Sequence, residues 1–207
     1  MAEAIYWEDF YKKHGAALVP SQFAAFALAE MPSRACIAEL GCGNGRDSLF
    51  FARYGHKVIG IDKSHQAVDF AEKCAKAEGL PAQFICSDIA DIDQNTDFRN
   101  RLETPLILYS RFFLHSIDEE AEAVFLDLCH DCLRLHGGKL FTEFRTDKDK
   151  GQYKQMGNTH YRRFIRLEDF LRRCEAAGLQ AEYSIEGKGF AKYGAEDAYV
   201  ARAVLHL

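Results

Sequence analysis

No apolar run in this 207-residue chain reaches the roughly 20 residues that a bilayer-spanning helix requires, so no membrane span is expected. The opening M-A-E-A-I-Y-W-E-D-F carries neither the basic start nor the long apolar core of a secretory leader, and a cytoplasmic location follows as the expectation. A basic surplus is also absent. Lys and Arg number 26 against 31 Asp and Glu, a formal charge of −5, which argues against a general nucleic-acid binder. There is no internal repeat and no low-complexity segment. At 48% apolar content the length fits one domain whose core needs no covalent staples. The seven cysteines (Cys36, Cys42, Cys74, Cys86, Cys129, Cys132 and Cys174) are odd in number and scattered through apolar stretches, the pattern of reduced core thiols. Cys129 and Cys132 make a single C-x-x-C with no second pair, inside a predicted helix. Plain packing is a simpler reading of them than zinc or redox chemistry.

What is present is an alternation of short β-rich runs with helical periods, the mark of an α/β sheet. The pattern predicts strands at 35–40, 57–61, 82–86, 106–109, 139–144, 180–185 and 199–205. Helices are predicted at 46–54, 65–78, 119–135 and 167–177. The last two strands follow one another without a helix and should therefore pair antiparallel. Residues 1–34 read as a helical extension with aromatics at Tyr6, Trp7, Phe10, Tyr11, Phe23 and Phe26. It is either a lid over a ligand or a helix packed on the sheet.

Residues 37–62 concentrate the chemistry: I-A-E-L-G-C-G-N-G-R-D-S-L-F-F-A-R-Y-G-H-K-V-I-G-I-D. A strand ends on Glu39, a turn holds Gly41, Gly43 and Gly45, a helix follows, and a second strand ends on Asp62. That order is the first half of a mononucleotide-binding βαβ unit, with an acid placed for ribose hydroxyls. The spacing is G-x-G-x-G, not the dinucleotide G-x-G-x-x-G, and Glu39 would repel a phosphate while attracting an ammonium group. On these residues the chain resembles the class I S-adenosylmethionine-dependent methyltransferases.

The resemblance implies a Rossmann-like α/β fold: a seven-stranded, mostly parallel sheet with helices on both faces and an antiparallel last strand. It implies a methyltransferase domain at 35–207 behind the 1–34 extension. S-adenosyl-L-methionine would be the cofactor and S-adenosyl-L-homocysteine the product. By the same resemblance Glu39, Gly41, Cys42, Gly43, Asn44 and Gly45 hold the methionine part. Asp62 takes the ribose, with Lys63 beside it, and Ser87, Asp88 and Ile89 meet the adenine. For Asp88, capping of a helical turn is the structural alternative.

The fourth strand runs into Tyr109-Ser110-Arg111-Phe112-Phe113-Leu114-His115, where the family places groups touching the methyl and its acceptor. This segment is not the N-P-P-Y of amide or adenine methylation. Ser110 is assigned to the donor side, and Arg111 and His115 to catalysis. His115 is the base candidate because its ordinary pKa lies near neutrality, and a hydrogen-bonded core histidine is the alternative. Between residues 145 and 193 there are 11 Lys or Arg against seven Asp or Glu, while the remainder holds 15 against 24. Arg145, His160, Tyr161 and Arg163, with Arg111 and His115, are therefore expected to meet a small acceptor, one that can bear a carboxylate or phosphate. A donor-binding sensor without turnover, an RNA-modifying enzyme and a nicotinamide-dependent reductase are the competing readings. The glycine spacing and the terminal hairpin argue against the last.

Overall fold

The computed structural model describes residues 19–92, 96–151 and 161–207. His160 and the aromatics at 6, 7, 10 and 11 lie outside the described residues. The chain order is α1 (Gln22–Glu30), β1 (Cys36–Leu40), α2 (Arg46–Arg53), β2 (Lys57–Asp62), α3 (His65–Glu78), β3 (Ala82–Cys86), α4 (Ile89–Ile92), α5 (Thr96–Arg101) and β4 (Leu106–Arg111). After these come α6 (Glu119–His136), β5 (Lys139–Arg145), α7 (Leu167–Ala176), β6 (Gln180–Gly187), β7 (Lys192–Tyr193), β8 (Glu196–Asp197) and β9 (Val200–His206).

The strands that lie inside the sheet are continuous apolar runs because both of their faces are covered. All five residues of β1 are buried. The helices α3 and α6 start where a side chain accepts a free amide of the first turn: Ser64 from Ala67 N at 3.3 Å, and Asp118 from Ala121 N at 2.8 Å. The sheet order is β3-β2-β1-β4-β5-β9-β6. The first five strands are parallel, and β9 runs antiparallel to both β5 and β6. One face packs on α6 and α7 through Phe125, Cys129, Leu133, Phe170 and Cys174. The other packs on α1 and α2 through Phe23, Ala27 and Phe51. The Cys129 and Cys132 thiols are part of this packing, and burial pushes Cys129 well above the ordinary thiol range.

Two expectations need adjustment. The terminal pair is antiparallel as expected, but a short hairpin of β7 and β8 intervenes, and the sheet strand begins only at Val200. The fourth strand continues two residues beyond Tyr109, so Ser110 and Arg111 are strand residues in register with Thr142 and Glu143. The single turns α4 and α5 are too short to leave a helical period in the sequence. Within the expected extension, Phe23, Ala24 and Ala27 of α1 are fully buried.

Strand order reverses between β1 and β4, so the carboxyl ends of those strands open the crevice where ligands of open α/β sheets bind. The approach to β5 is equally constrained. Gly138 has φ +101°, and an added Cβ would lie 1.8 Å from the Leu106 carbonyl oxygen. Gly138→Ala is expected to cost at least about 3 kcal/mol in urea unfolding, because the obstacle is strand backbone that cannot yield. An unchanged unfolding midpoint would contradict the packing described.

Candidate functional site

The turn after β1 is left-handed at each glycine, with φ of +78°, +54° and +77° at Gly41, Gly43 and Gly45. A side chain would be strained at all three. Gly45 stands at the start of α2, and an added Cβ there would meet Ala71 at 2.7 Å. Two bonds tie the turn to the neighbouring strand, as the Gly41 and Cys42 amides both donate to the Ile61 carbonyl at 2.9 Å. Asp62 completes the attachment. Its carboxylate accepts from Gly43 N at 2.8 Å and from Ser64 N at 2.9 Å, joining the turn to the start of α3. Carboxylate-to-amide bonds of this kind fix a loop more strongly than neutral ones.

The other residues expected to meet the donor cluster at the same strand ends. Lys63 accepts from the Cys86 thiol through its carbonyl at 3.6 Å, and the Ser87 amide donates to the Asp62 carbonyl at 3.0 Å. Asp88 is exposed and its Oδ1 accepts from Ala90 N at 3.2 Å, so it caps α4. That capping leaves the rest of its carboxylate facing outward. Ile89 is buried and Asn44 half-buried. Ser110 is fully buried, with a hydroxyl that has no partner among the described residues.

Behind the turn lies a polar network that the sequence did not announce. Asp47, in the first turn of α2, is buried and accepts from Ser21 N at 2.8 Å, Ser21 Oγ at 2.7 Å and Tyr109 OH at 2.9 Å. These bonds pin α1 and β4 to the helix that follows the glycine turn. Burial pushes Asp47 up, but Arg46, Arg111 and the Ser21 bonds outweigh it and hold the carboxyl below its ordinary value. Glu39 is also buried, and Ser48 Oγ donates to it at 2.5 Å. Burial, reinforced by the Asp47 charge, raises the Glu39 carboxyl well above the ordinary range. Two neighbouring carboxyls are thus driven in opposite directions. The signal for Asp47 was the run G-R-D-S itself, an acid in a helix first turn with no exposed face to occupy.

On the acceptor side the arginines proved to be paired. Arg111 Nε donates to Glu143 at 2.9 Å, and the other oxygen of that buried carboxylate accepts from Arg202 Nε at 2.8 Å. Arg145 donates to Asp149 at 2.7 Å and to Glu196. Arg163 donates to buried Glu122, which also accepts from Arg173 at 2.5 Å. Arg111, Arg145 and Arg163, expected to meet an anionic acceptor, are thus each bonded to a carboxylate of the chain itself. The basic surplus becomes a set of internal ion pairs, with Asp149 from the same segment and Glu122, Glu143 and Glu196 from others. Glu143 was the legible clue, as a single charge inside the apolar strand L-F-T-E-F.

Arg111, Arg145 and His115 do come together around one ring. The guanidinium carbons lie 4.0 and 5.0 Å from the Phe112 centroid, and the His115 ring meets it edge-on at 5.2 Å. His115 is buried and its Nδ1 accepts from Arg145 N at 3.3 Å, which fits the core-histidine alternative better than an open base. Tyr161 is 46% exposed, and, two residues on, the Arg163 amide donates to the His115 carbonyl at 2.7 Å.

Residues 37–137 match the model of the methyltransferase domain family. The chain is 32% identical over 84 residues to the 2-heptyl-1-hydroxyquinolin-4(1H)-one methyltransferase of Mycobacteroides abscessus, covering 41% of this chain and 35% of that protein. It is 31% identical over 111 residues to the tRNA 5-carboxymethoxyuridine methyltransferase of Escherichia coli, covering 52% and 35%. The match thus spans about a third of the length of either relative. In fold, the chain is similar to the CcbJ methyltransferase from Streptomyces caelestis, with a TM-score of 0.71, 16% identity and coverage of 96% and 95%. With its sheet order and glycine turn, the chain is similar to the class I S-adenosylmethionine-dependent methyltransferases, and the matched segment 37–137 carries that turn. Their cofactor is S-adenosylmethionine.

The Glu39 environment sets a pH dependence. The unfolded chain ionises this carboxyl near 4.5 while the folded chain keeps it protonated to higher pH, so wild-type stability falls relative to Glu39→Gln as pH rises above about 4.5. The difference levels off once the folded carboxyl ionises. Parallel urea curves for the two proteins across that range would contradict a Glu39 carboxyl raised by burial.

Proposed function

We propose that the protein transfers the methyl group of S-adenosylmethionine to a small-molecule acceptor. The observation that carries this reading is the left-handed glycine turn held by the Asp62 carboxylate at the strand-order reversal. In it, the turn at Glu39, Gly41, Cys42, Gly43, Asn44 and Gly45 holds the amino-acid end of the donor. Asp62 and Lys63 lie at the ribose, and Ser87, Asp88 and Ile89 line the adenine. Ser110 stands between donor and acceptor. The donor brings an activated methyl of its own, so the chain contributes chiefly alignment of the acceptor. Arg111 and His115, fixed around Phe112, form the acceptor-side wall.

The relatives with printed substrates act on a hydroxyquinolone and on a tRNA carboxymethoxyuridine. A small molecule is favoured for this chain because RNA binding draws on unpaired cations for phosphates. Here Arg111, Arg145 and Arg163 are already bonded to carboxylates. The same pairing weakens the argument for an anionic acceptor, because each of these guanidiniums already has a carboxylate counterion. Donor binding without turnover is the second reading, supported by the occupied Nδ1 of His115. Among the described residues no helix is long and apolar enough to cross a membrane.

Calorimetric titration with S-adenosylmethionine, S-adenosylhomocysteine and NADH tests the proposal. Saturable binding of the first two is expected, with no NADH binding. Asp62→Ala should weaken donor affinity roughly 10- to 100-fold, the equivalent of one or two charge-assisted hydrogen bonds. Label from the donor methyl should then appear in a compound of a metabolite extract. Tight binding with no incorporation would favour the non-catalytic reading, and NADH binding in place of the donor would sink both.

A further inference from the structure

Among the described residues Phe112 is the one non-glycine residue with a left-handed backbone, at φ +57°. Such a conformation is strained in a bulky residue and persists only where its surroundings impose it. The surroundings are on both sides. The Phe112 amide donates to the Glu143 carbonyl at 2.8 Å, and its ring lies by Arg111 and Arg145 and packs with Ala191, Ala198 and Val200. Phe113 heads elsewhere. Its ring sits against Gly41, where an added Cβ would lie 2.4 Å from Cδ2 and 2.7 Å from Cγ. The Phe113 carbonyl is held by Ser116, from its amide at 2.8 Å and its hydroxyl at 2.6 Å, and its ring packs against Phe125 at 6.0 Å. The backbone reversal at 112 thus separates two consecutive rings, one toward the β7–β8 hairpin and one onto the first glycine of the donor turn.

We propose that Phe113 is a positioning residue for donor binding, aimed onto Gly41 by the left-handed Phe112. The flat ring holds the turn from the acceptor side as Asp62 holds it from the β2 side. Gly41 lacks a side chain in order to admit this ring. The inference rests on the donor reading above.

Titration of S-adenosylhomocysteine into wild-type protein and four variants tests it, with circular dichroism and the ligand-free melting temperature read alongside. Wild type must bind, and failure at that point defeats the donor reading itself. If it binds, Phe113→Ala is expected to raise Kd at least tenfold and Phe113→Leu about threefold or more, while Phe113→Tyr stays within about twofold. Phe112→Gly should also bind within about threefold, since glycine keeps the left-handed backbone that aims residue 113. Should Phe113→Ala not fold, Phe113→Leu decides, because it keeps the bulk and loses the flat ring. Wild-type affinity in Phe113→Leu would overturn the proposal. So would a loss in Phe113→Tyr equal to that in Phe113→Leu, or a loss in Phe112→Gly equal to that in Phe113→Ala.

Discussion

The carboxylate of Asp62 is the constraint from which the donor side follows. A turn with three left-handed glycines has little conformational preference of its own, since glycine loses the most freedom on ordering. Asp62 supplies the missing restraint from the end of the adjacent strand, taking the Gly43 amide on one oxygen and the Ser64 amide on the other. One side chain thereby fixes both the loop after β1 and the start of the helix after β2. Parallel pairing of β1 with β2 sets their carboxyl ends side by side, so the acid is delivered to the turn by the fold.

Charge is arranged differently on the two sides of the crevice. Near the donor turn two buried carboxyls coexist because they are not equivalent: Asp47 has three hydrogen bonds and a nearby Arg46, whereas Glu39 has burial and an acidic neighbour. Driving one carboxyl up and its neighbour down lessens the repulsion of burying both together. On the acceptor side, arginines of β4, β5 and β9 meet carboxylates of β5, β8 and the turn after β5. Breaking one member of such buried pairs leaves an uncompensated charge, so these groups hold shape and are poorly placed to be lent to a substrate.

Legibility in the sequence followed the range of the interactions. The glycine turn, the acid ending the second strand and the alternation of strands with helices are local patterns. The glycine turn and the sheet, including the antiparallel end, could be read from them. The partners of Arg111, Arg145 and Arg163 are pairings across the fold. A count of charges along residues 145–193 could not reveal that Glu122, Glu143 and Glu196 would be their counterions. The Ser21–Asp47–Tyr109 network escaped for the same reason, joining residues 26 and 62 positions apart. Phe112 carried no sequence signal at all, because a left-handed phenylalanine looks like any other until the backbone is known.

A crystal structure of the protein with S-adenosylhomocysteine tests the central claim most directly. The account predicts the ribose hydroxyls on the Asp62 carboxylate and the amino-acid tail against residues 41–45. Product bound elsewhere, or in the crevice with Asp62 untouched, would contradict it.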